Sequence, residues 1–306
     1  MKKKIILITH MPCTAGTFYT HYISKLVSEK TWILPETNPF SVKNLDKKYF
    51  VPYSINTSLY LCGRRHFDLY LQNYKKELNN FIREFIDSNS DCLLIRDQLF
   101  SQFANKRYKD HQNLFIAKCL EELNLDFKII FTVRDPIDSW IAMNANFPRT
   151  NMDLNDYLTI YQSALNTYEK KYKSKLLKIK IEDFYLELEN IRKLIDNFLG
   201  IKTFLNKKIR VSNNELTSGA SGRRSEVPKL FPFKPFSYFA YKEIISNKKF
   251  LNFRSKLGYK DEFKFKNKID FLFSLLHCIY QPIIHFKFNK DRKIAYYLKS
   301  NKLAFR

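Results

Sequence analysis

Glycine and proline are scarce in this chain of 306 residues, which has only six of the first and ten of the second. That scarcity excludes collagen-like, linker-like and low-complexity architectures, which depend on one or both residues. Cysteine is also rare. Cys13, Cys62, Cys92, Cys119 and Cys278 are odd in number, far apart and never in a CxxC pair. This excludes a cysteine-rich zinc site and predicts a reducing, cytoplasmic compartment. No apolar run reaches the roughly 18 residues that crossing a bilayer requires. The apolar start Ile5-Ile6-Leu7-Ile8 gives way to Thr9-His10, too soon for the core of a signal peptide. Acidic residues are the last deficit. Against 53 Lys+Arg stand 30 Asp+Glu, a formal charge of +23.

Apolar side chains are plentiful, at 45% hydrophobic and 16% aromatic, enough to fill the core of a large α/β domain. A surface this basic attracts nucleotides, anionic glycans, nucleic acid or an anionic membrane face. Only 14 of the basic residues are Arg, however, so the charge reads equally well as unspecific solvation by lysine.

Periodicity gives the architecture. Residues 4–8, 91–95, 127–133 and 176–181 are short, nearly continuous apolar runs, as expected of strands buried on both faces. Between them apolar residues recur at helical spacing: Tyr19, Tyr22, Ile23, Leu26 and Val27; Leu78, Phe81, Ile82, Phe85 and Ile86; Ile116, Cys119, Leu120 and Leu123; Leu154, Tyr157, Leu158, Tyr161, Leu165 and Tyr168; Leu188, Ile191, Ile195, Phe198 and Leu199. A further helix starts near Pro136. Alternating strands and helices predict a mostly parallel sheet flanked by helices, with ligands beyond the carboxyl ends of the strands. Chemistry is therefore expected at His10–Thr17, Arg96–Asp97, Arg134–Pro136 and Glu182–Asp183. Past residue 200 the pattern weakens to a Ser/Gly/Arg/Pro-rich loop at 212–235 and a basic, aromatic tail over 261–306. In the tail, Phe265, Phe271, Phe273, Leu275 and Leu276 are expected to pack in a core, the alternative being a face that rests on an anionic membrane.

Three segments carry the chemistry. In His10-Met11-Pro12-Cys13-Thr14-Ala15-Gly16-Thr17-Phe18, small residues let backbone N–H groups converge on an anion at a helix N-terminus, and Thr14 and Thr17 add hydroxyls. The earlier Gly and the Lys of a Walker A loop are both missing. The bland alternative is an ordinary turn capped by Thr. In Val133-Arg134-Asp135-Pro136, an Arg at a strand end aims five donors into the cleft, unless it only pairs with Asp135 or Asp138. Ser218-Gly219-Ala220-Ser221-Gly222-Arg223-Arg224 combines glycines, hydroxyls and twin arginines suited to a second phosphate, or is a plain surface loop.

Taken in order, these segments resemble the sulfotransferases that use 3′-phosphoadenosine 5′-phosphosulfate (PAPS). His10–Thr17 is similar to the 5′-phosphosulfate loop of the carbohydrate enzymes, HxPK[ST][AG]GT. Val133–Pro136 resembles their 3′-phosphate segment, and Ser218–Arg223 a late loop of bacterial members that closes on the same phosphate. Leu94-Ile95-Arg96-Asp97 also resembles an element of those bacterial enzymes. The resemblance spans residues 5–224 and departs from the family twice. Cys13 stands where the family has Lys or Arg, and Ala142 where it has a Ser eight residues after the Arg; Ser139 is the nearest hydroxyl.

The resemblance implies a P-loop-NTPase-like sulfotransferase fold over residues 1–260, with 261–306 as an extension. It implies PAPS as donor, 3′-phosphoadenosine 5′-phosphate (PAP) as product and no metal. Pro12, Cys13, Thr14, Ala15, Gly16, Thr17, Phe18, Arg134, Ser139, Ser218, Gly219, Ser221, Gly222, Arg223 and Arg224 would hold the nucleotide. Asp97 is the first candidate for general base and His10 the second, the latter also as a donor to the leaving phosphate. Each could instead be structural, Asp97 in a contact with Arg96 and His10 as a packed ring. The acceptor expected is a carbohydrate or glycolipid, with no nucleic-acid partner; peripheral contact of the C-terminal tail with the inner membrane is the alternative to its packing in a core. Arg64-Arg65-His66 could meet an acidic acceptor or be a solvated turn. Two rivals stay open: a nucleotide or sugar kinase, and a catalytically degenerate basic protein that binds nucleotide, membrane or nucleic acid.

Overall fold

A computed structural model describes residues 3–11, 14, 16–27, 30–34, 67–99, 114–146, 153–201, 238–260, 268–269 and 271–276. The chain divides into two compact units, residues 1–133 with 163–230 and residues 134–162 with 231–306.

The first unit is built on a five-stranded sheet. Its strands are β1 (Lys4–His10), β2 (Thr31–Leu34), β3 (Cys92–Gln98), β4 (Phe127–Val133) and β5 (Leu176–Lys180), in the order β2-β3-β1-β4-β5. Every pairing is parallel, as the alternation of apolar runs and helices predicts. Parallel neighbours need crossover connections and are covered on both faces. This explains why Ile5, Ile6, Leu7 and Ile8 are all buried in the central strand. Side chains alternate between faces. On one face Ile6, Ile8, Leu94, Ile130 and Ile179 share a core with Tyr19, Tyr22, Ile23 and Leu26 of helix α1 (Gly16–Val27). The helices α2 (Phe67–Asp87) and α3 (Phe115–Glu122) precede β3 and β4. On the opposite face the Phe131 ring meets Tyr168 edge-on, 5.8 Å between centroids.

The second unit contains α4 (Pro136–Asn146) and the start of α5 (Leu154–Lys171), a helix that belongs to the first unit from Ser163 onward. After β5 the first unit adds α6 (Ile181–Leu186) and α7 (Leu188–Leu199). Gly200 ends α7 in the left-handed conformation, φ 62°, where a side chain would be strained. Ile191, Ile195 and Leu199 of α7 join the core that contains α1. The second unit is completed by α8 (Tyr238–Ser246) and α9 (Lys248–Lys256). Here Tyr161 packs edge-on against Phe253, 5.2 Å between centroids.

Several elements differ from expectation. Strand β2 has four residues and too short an apolar run to stand out. Ile181, expected to end a strand, opens α6, so Glu182 and Asp183 lie in a first helical turn. Helices α8 and α9 fill a region where the sequence shows little periodicity. In the tail, Phe271, Phe273, Leu275 and Leu276 are exposed, as are Ile269 and Leu272, so these positions are not core. No described helix is long and apolar enough to cross a membrane.

The strand order also locates a crevice. β1 leaves toward β2 on one side of the sheet, whereas β3 leaves toward β4 on the other. Adjacent strands whose connections depart in opposite directions open a cleft at their carboxyl ends. Those ends carry His10 and Arg96–Asp97.

Candidate active site

At the end of β1 the register sets Ile8 beside Arg96 and Thr9 beside Asp97 of β3, and His10 beside Thr132 of β4. His10 is buried, and both of its ring nitrogens are engaged. Nδ1 lies 2.8 Å from the Met11 carbonyl oxygen, and Arg96 Nε–H donates to Nε2 at 2.9 Å. A carbonyl can only accept and a guanidinium can only donate, so the imidazole is neutral with its proton on Nδ1.

The loop above this pair is braced from within. Thr14 Oγ1 donates to the Met11 carbonyl at 2.7 Å and lies 3.3 Å from Thr132 Oγ1. The Thr14 hydroxyl proton thus goes to the turn itself, not outward. Gly16 begins α1, with Thr20 Oγ1 donating to its carbonyl at 2.8 Å. A Cβ built on Gly16 would fall 2.3 Å from His10 Nε2, 2.4 Å from Cδ2 and 2.5 Å from Cε1. The glycine is therefore required because the imidazole lies directly against the helix N-terminus, a reason that loop composition alone does not reveal.

Asp97 is completely buried. Tyr168 of α5 is its neighbour: burial first, then the Asp97 carboxylate, holds the Tyr168 phenol well above its ordinary range. A neutral hydroxyl thus stays near the carboxylate at any physiological pH.

In the second unit, Arg134 Nη2–H donates to Asp138 Oδ2 at 2.9 Å, with both side chains 13% exposed. Of the two alternative pairings for Arg134, the structure shows the one with Asp138. Asp135 instead caps α4, its Oδ1 accepting from Ile137 N–H at 3.0 Å, while Pro136 occupies the first helical position, where a missing N–H costs nothing. The Asp135 carboxylate also receives Arg254 of α9 through Nε, 3.0 Å from each oxygen, and through Nη2, 2.7 Å from Oδ2. Ser139 is fully buried one helical turn before the buried Ala142, and its backbone N–H donates to the Asp135 carbonyl at 3.0 Å. Among the described residues nothing hydrogen-bonds the Ser139 hydroxyl.

Pro12, Cys13, Ala15, the side chains of Thr17 and Phe18, Arg64–His66 and the loop bearing Ser218, Gly219, Ser221, Gly222, Arg223 and Arg224 lie outside the described residues. Among the described residues no cluster of His, Cys, Asp and Glu could hold a metal ion. Sequence reasoning missed Tyr168 and Arg254 as members of these clusters. For Arg254 a signal exists: Phe250, Phe253, Arg254 and Leu257 form one i, i+3, i+4, i+7 stripe, all buried, and a cation within such a stripe announces a buried anion.

No family model matches the chain, and no curated protein matches it. Solved structures do. The sulfotransferase domain from the curacin biosynthetic pathway is 13% identical and has a TM-score of 0.48, over 85% of this chain and 99% of that one. Retinol dehydratase in complex with androsterone and inactive cofactor PAP is 12% identical, with a TM-score of 0.41 over 87% of this chain and 84% of that one. Mouse sulfotransferase SULT7A1 complexed with PAP is 15% identical, with a TM-score of 0.37 over 71% of this chain; the match spans 62% of the mouse protein.

Proposed function

We propose that the chain is a sulfotransferase that moves a sulfuryl group from PAPS to a hydroxyl of a carbohydrate or glycolipid. The observation that carries this reading is the Arg96 guanidinium, held 2.9 Å from a neutral His10 at the crevice end of the sheet. This hydrogen bond fixes the guanidinium at the strand end, where a donor to a departing phosphate is required. It also answers the departure at Cys13: the cation that the family places in the loop is supplied here from β3.

The acceptor oxygen attacks sulfur, the bond from sulfur to the bridging oxygen breaks, and PAP leaves as an anion. Backbone N–H groups of Thr14–Thr17 and the start of α1 hold the 5′-phosphosulfate, and Arg96 meets the charge that develops on the bridging oxygen. The resemblance gives the 3′-phosphate to Arg134, Ser139 and the Ser218–Arg224 loop. His10, with both nitrogens committed, orients Arg96. Asp97 takes the acceptor's proton, and its burial restricts it to acceptors whose hydroxyl enters the crevice.

A glycolipid acceptor fits one more feature. Ile269, Leu272, Phe273 and Leu276 recur at helical spacing and are exposed by 53–63%, close in sequence to Lys264, Lys266 and Lys268. An apolar face with basic flanks suits the surface of an anionic bilayer. Co-sedimentation with phosphatidylglycerol vesicles but not phosphatidylcholine vesicles is expected, and equal recovery with both would remove the membrane from the account.

The direct test of function is incubation with PAPS and a panel of carbohydrate and glycolipid acceptors, read as acceptor mass gain. Transfer to at least one hydroxyl acceptor, lost in Arg96→Ala, is expected. Phosphate transfer from magnesium–ATP in its place would identify a kinase. PAP binding without transfer to any acceptor would leave a degenerate binder.

A further inference from the structure

The buried ion pair between α9 and the segment after β4 has no place in the chemistry above, yet it engages three nitrogens of one guanidinium. Arg254 and Asp135 are 119 residues apart, and both are almost fully buried. Buried ions are costly unless paired with good geometry and their remaining valences satisfied. Here the conditions are met. Two guanidinium nitrogens grip the carboxylate, a third, Nη1, donates to the Tyr259 carbonyl at 3.3 Å, and the Tyr259 ring centroid lies 6.0 Å from Cζ.

The position of Asp135 gives the pair its consequence. It is the residue between Arg134 and Pro136. The proline restricts Asp135 to extended backbone, and its own carboxylate caps α4 through Ile137. Arg254 seizes that same carboxylate. The Arg134 side chain is in turn tied one turn into α4 through Asp138. A single carboxylate thus sets where α4 begins and fixes the backbone next to Arg134.

We propose that Arg254 is a positioning residue: by gripping Asp135 it holds Arg134 in the orientation that recognises the nucleotide's 3′-phosphate, so that helix α9 governs nucleotide selectivity. The inference rests on the reading that Arg134 binds the 3′-phosphate. Lysine at position 254 keeps the charge and loses the planar fork, so Arg254→Lys is the informative variant.

The test measures Kd for PAP and for adenosine 5′-phosphate, which lacks the 3′-phosphate, by calorimetry on the full chain. In Arg254→Lys the affinity for PAP is expected to fall about tenfold, the middle of the range for coupled neighbours, with the affinity for adenosine 5′-phosphate unchanged. A merely structural role would weaken both ligands alike and overturn the inference. Arg134→Ala serves as the reference. If it erases the preference for PAP while Arg254→Lys keeps it, this inference alone fails. If the unaltered protein shows no preference, or Arg134→Ala leaves it intact, the 3′-phosphate reading fails and takes the inference with it. Should Arg254→Lys not fold, Asp135→Asn with Arg254→Met removes both charges together and is expected to show the same loss of selectivity.

Discussion

The two arginine-bearing strand ends are anchored by opposite means. Near the end of β3, Arg96 is held by a neutral imidazole from the adjacent strand. After β4, the segment carrying Arg134 is held through a carboxylate that answers a guanidinium from a distant helix. A neutral anchor orients the guanidinium through a hydrogen bond and binds modestly. An ion pair binds firmly and cancels itself, so it suits a scaffold better than a catalytic contact. The first unit thus holds its strand-end arginine by a neutral hydrogen bond, and the second uses a buried ion pair to hold a segment in place.

That contrast is open to breakage, and its largest expected effect lies in the second unit. Asp135→Ala strands a buried guanidinium and should cost about 3–5 kcal/mol of stability, measured by chemical denaturation. His10→Ala removes only a neutral partner and should cost about 1–3 kcal/mol. Equal losses would erase the distinction. Arg96→Ala should reverse the ranking for function, lowering kcat on the order of a hundredfold, with PAP affinity little changed. Gly16→Ala drives a methyl group into the His10 ring, at 2.3–2.5 Å from three of its atoms, and should cost about 1–3 kcal/mol by overpacking. It should also lower kcat, because the imidazole cannot shift without releasing Arg96.

At the alkaline end the first unit also carries a pH dependence. Burial pushes the Cys92 and Cys119 thiols up to about 12 and raises the phenols of Tyr22, Tyr168 and Tyr172 as well. Folded, these groups keep protons that the unfolded chain releases from about pH 9. Their contribution is therefore complete below pH 9 and is lost as pH rises toward 12, at up to about 1.4 kcal/mol per pH unit for each thiol. Hydrogen exchange should show β1 and β3 losing protection before α9 over that range. The reverse order would contradict the assignment. At neutral pH neither thiol should react with iodoacetamide in the folded chain.

Much of this was legible in the sequence where physics is local. Continuous apolar runs mark β1, β3, β4 and β5 because a parallel sheet buries both faces, and the position of Arg96–Asp97 at a strand end follows from the same pattern. Strand β2 was not legible, since four residues at an edge carry little periodicity. The contact of Gly16 with the His10 ring was hidden because composition suggests backbone freedom, whereas the demand comes from a side chain at the end of the preceding strand. Arg254 was hidden by distance along the chain, although its seat in an apolar stripe was a clue. The exposure of Phe273 and Leu276 is not legible in the sequence, because apolar helical spacing alone does not say what covers it.

The measurement closest to the central claim is thermal unfolding with PAP and, separately, with magnesium–ATP. At a hundred times its Kd a ligand specific for the folded state adds about 2.7 kcal/mol. The account predicts a rise in Tm with PAP that disappears in Arg134→Ala, and none with magnesium–ATP. Stabilisation by magnesium–ATP alone would contradict it.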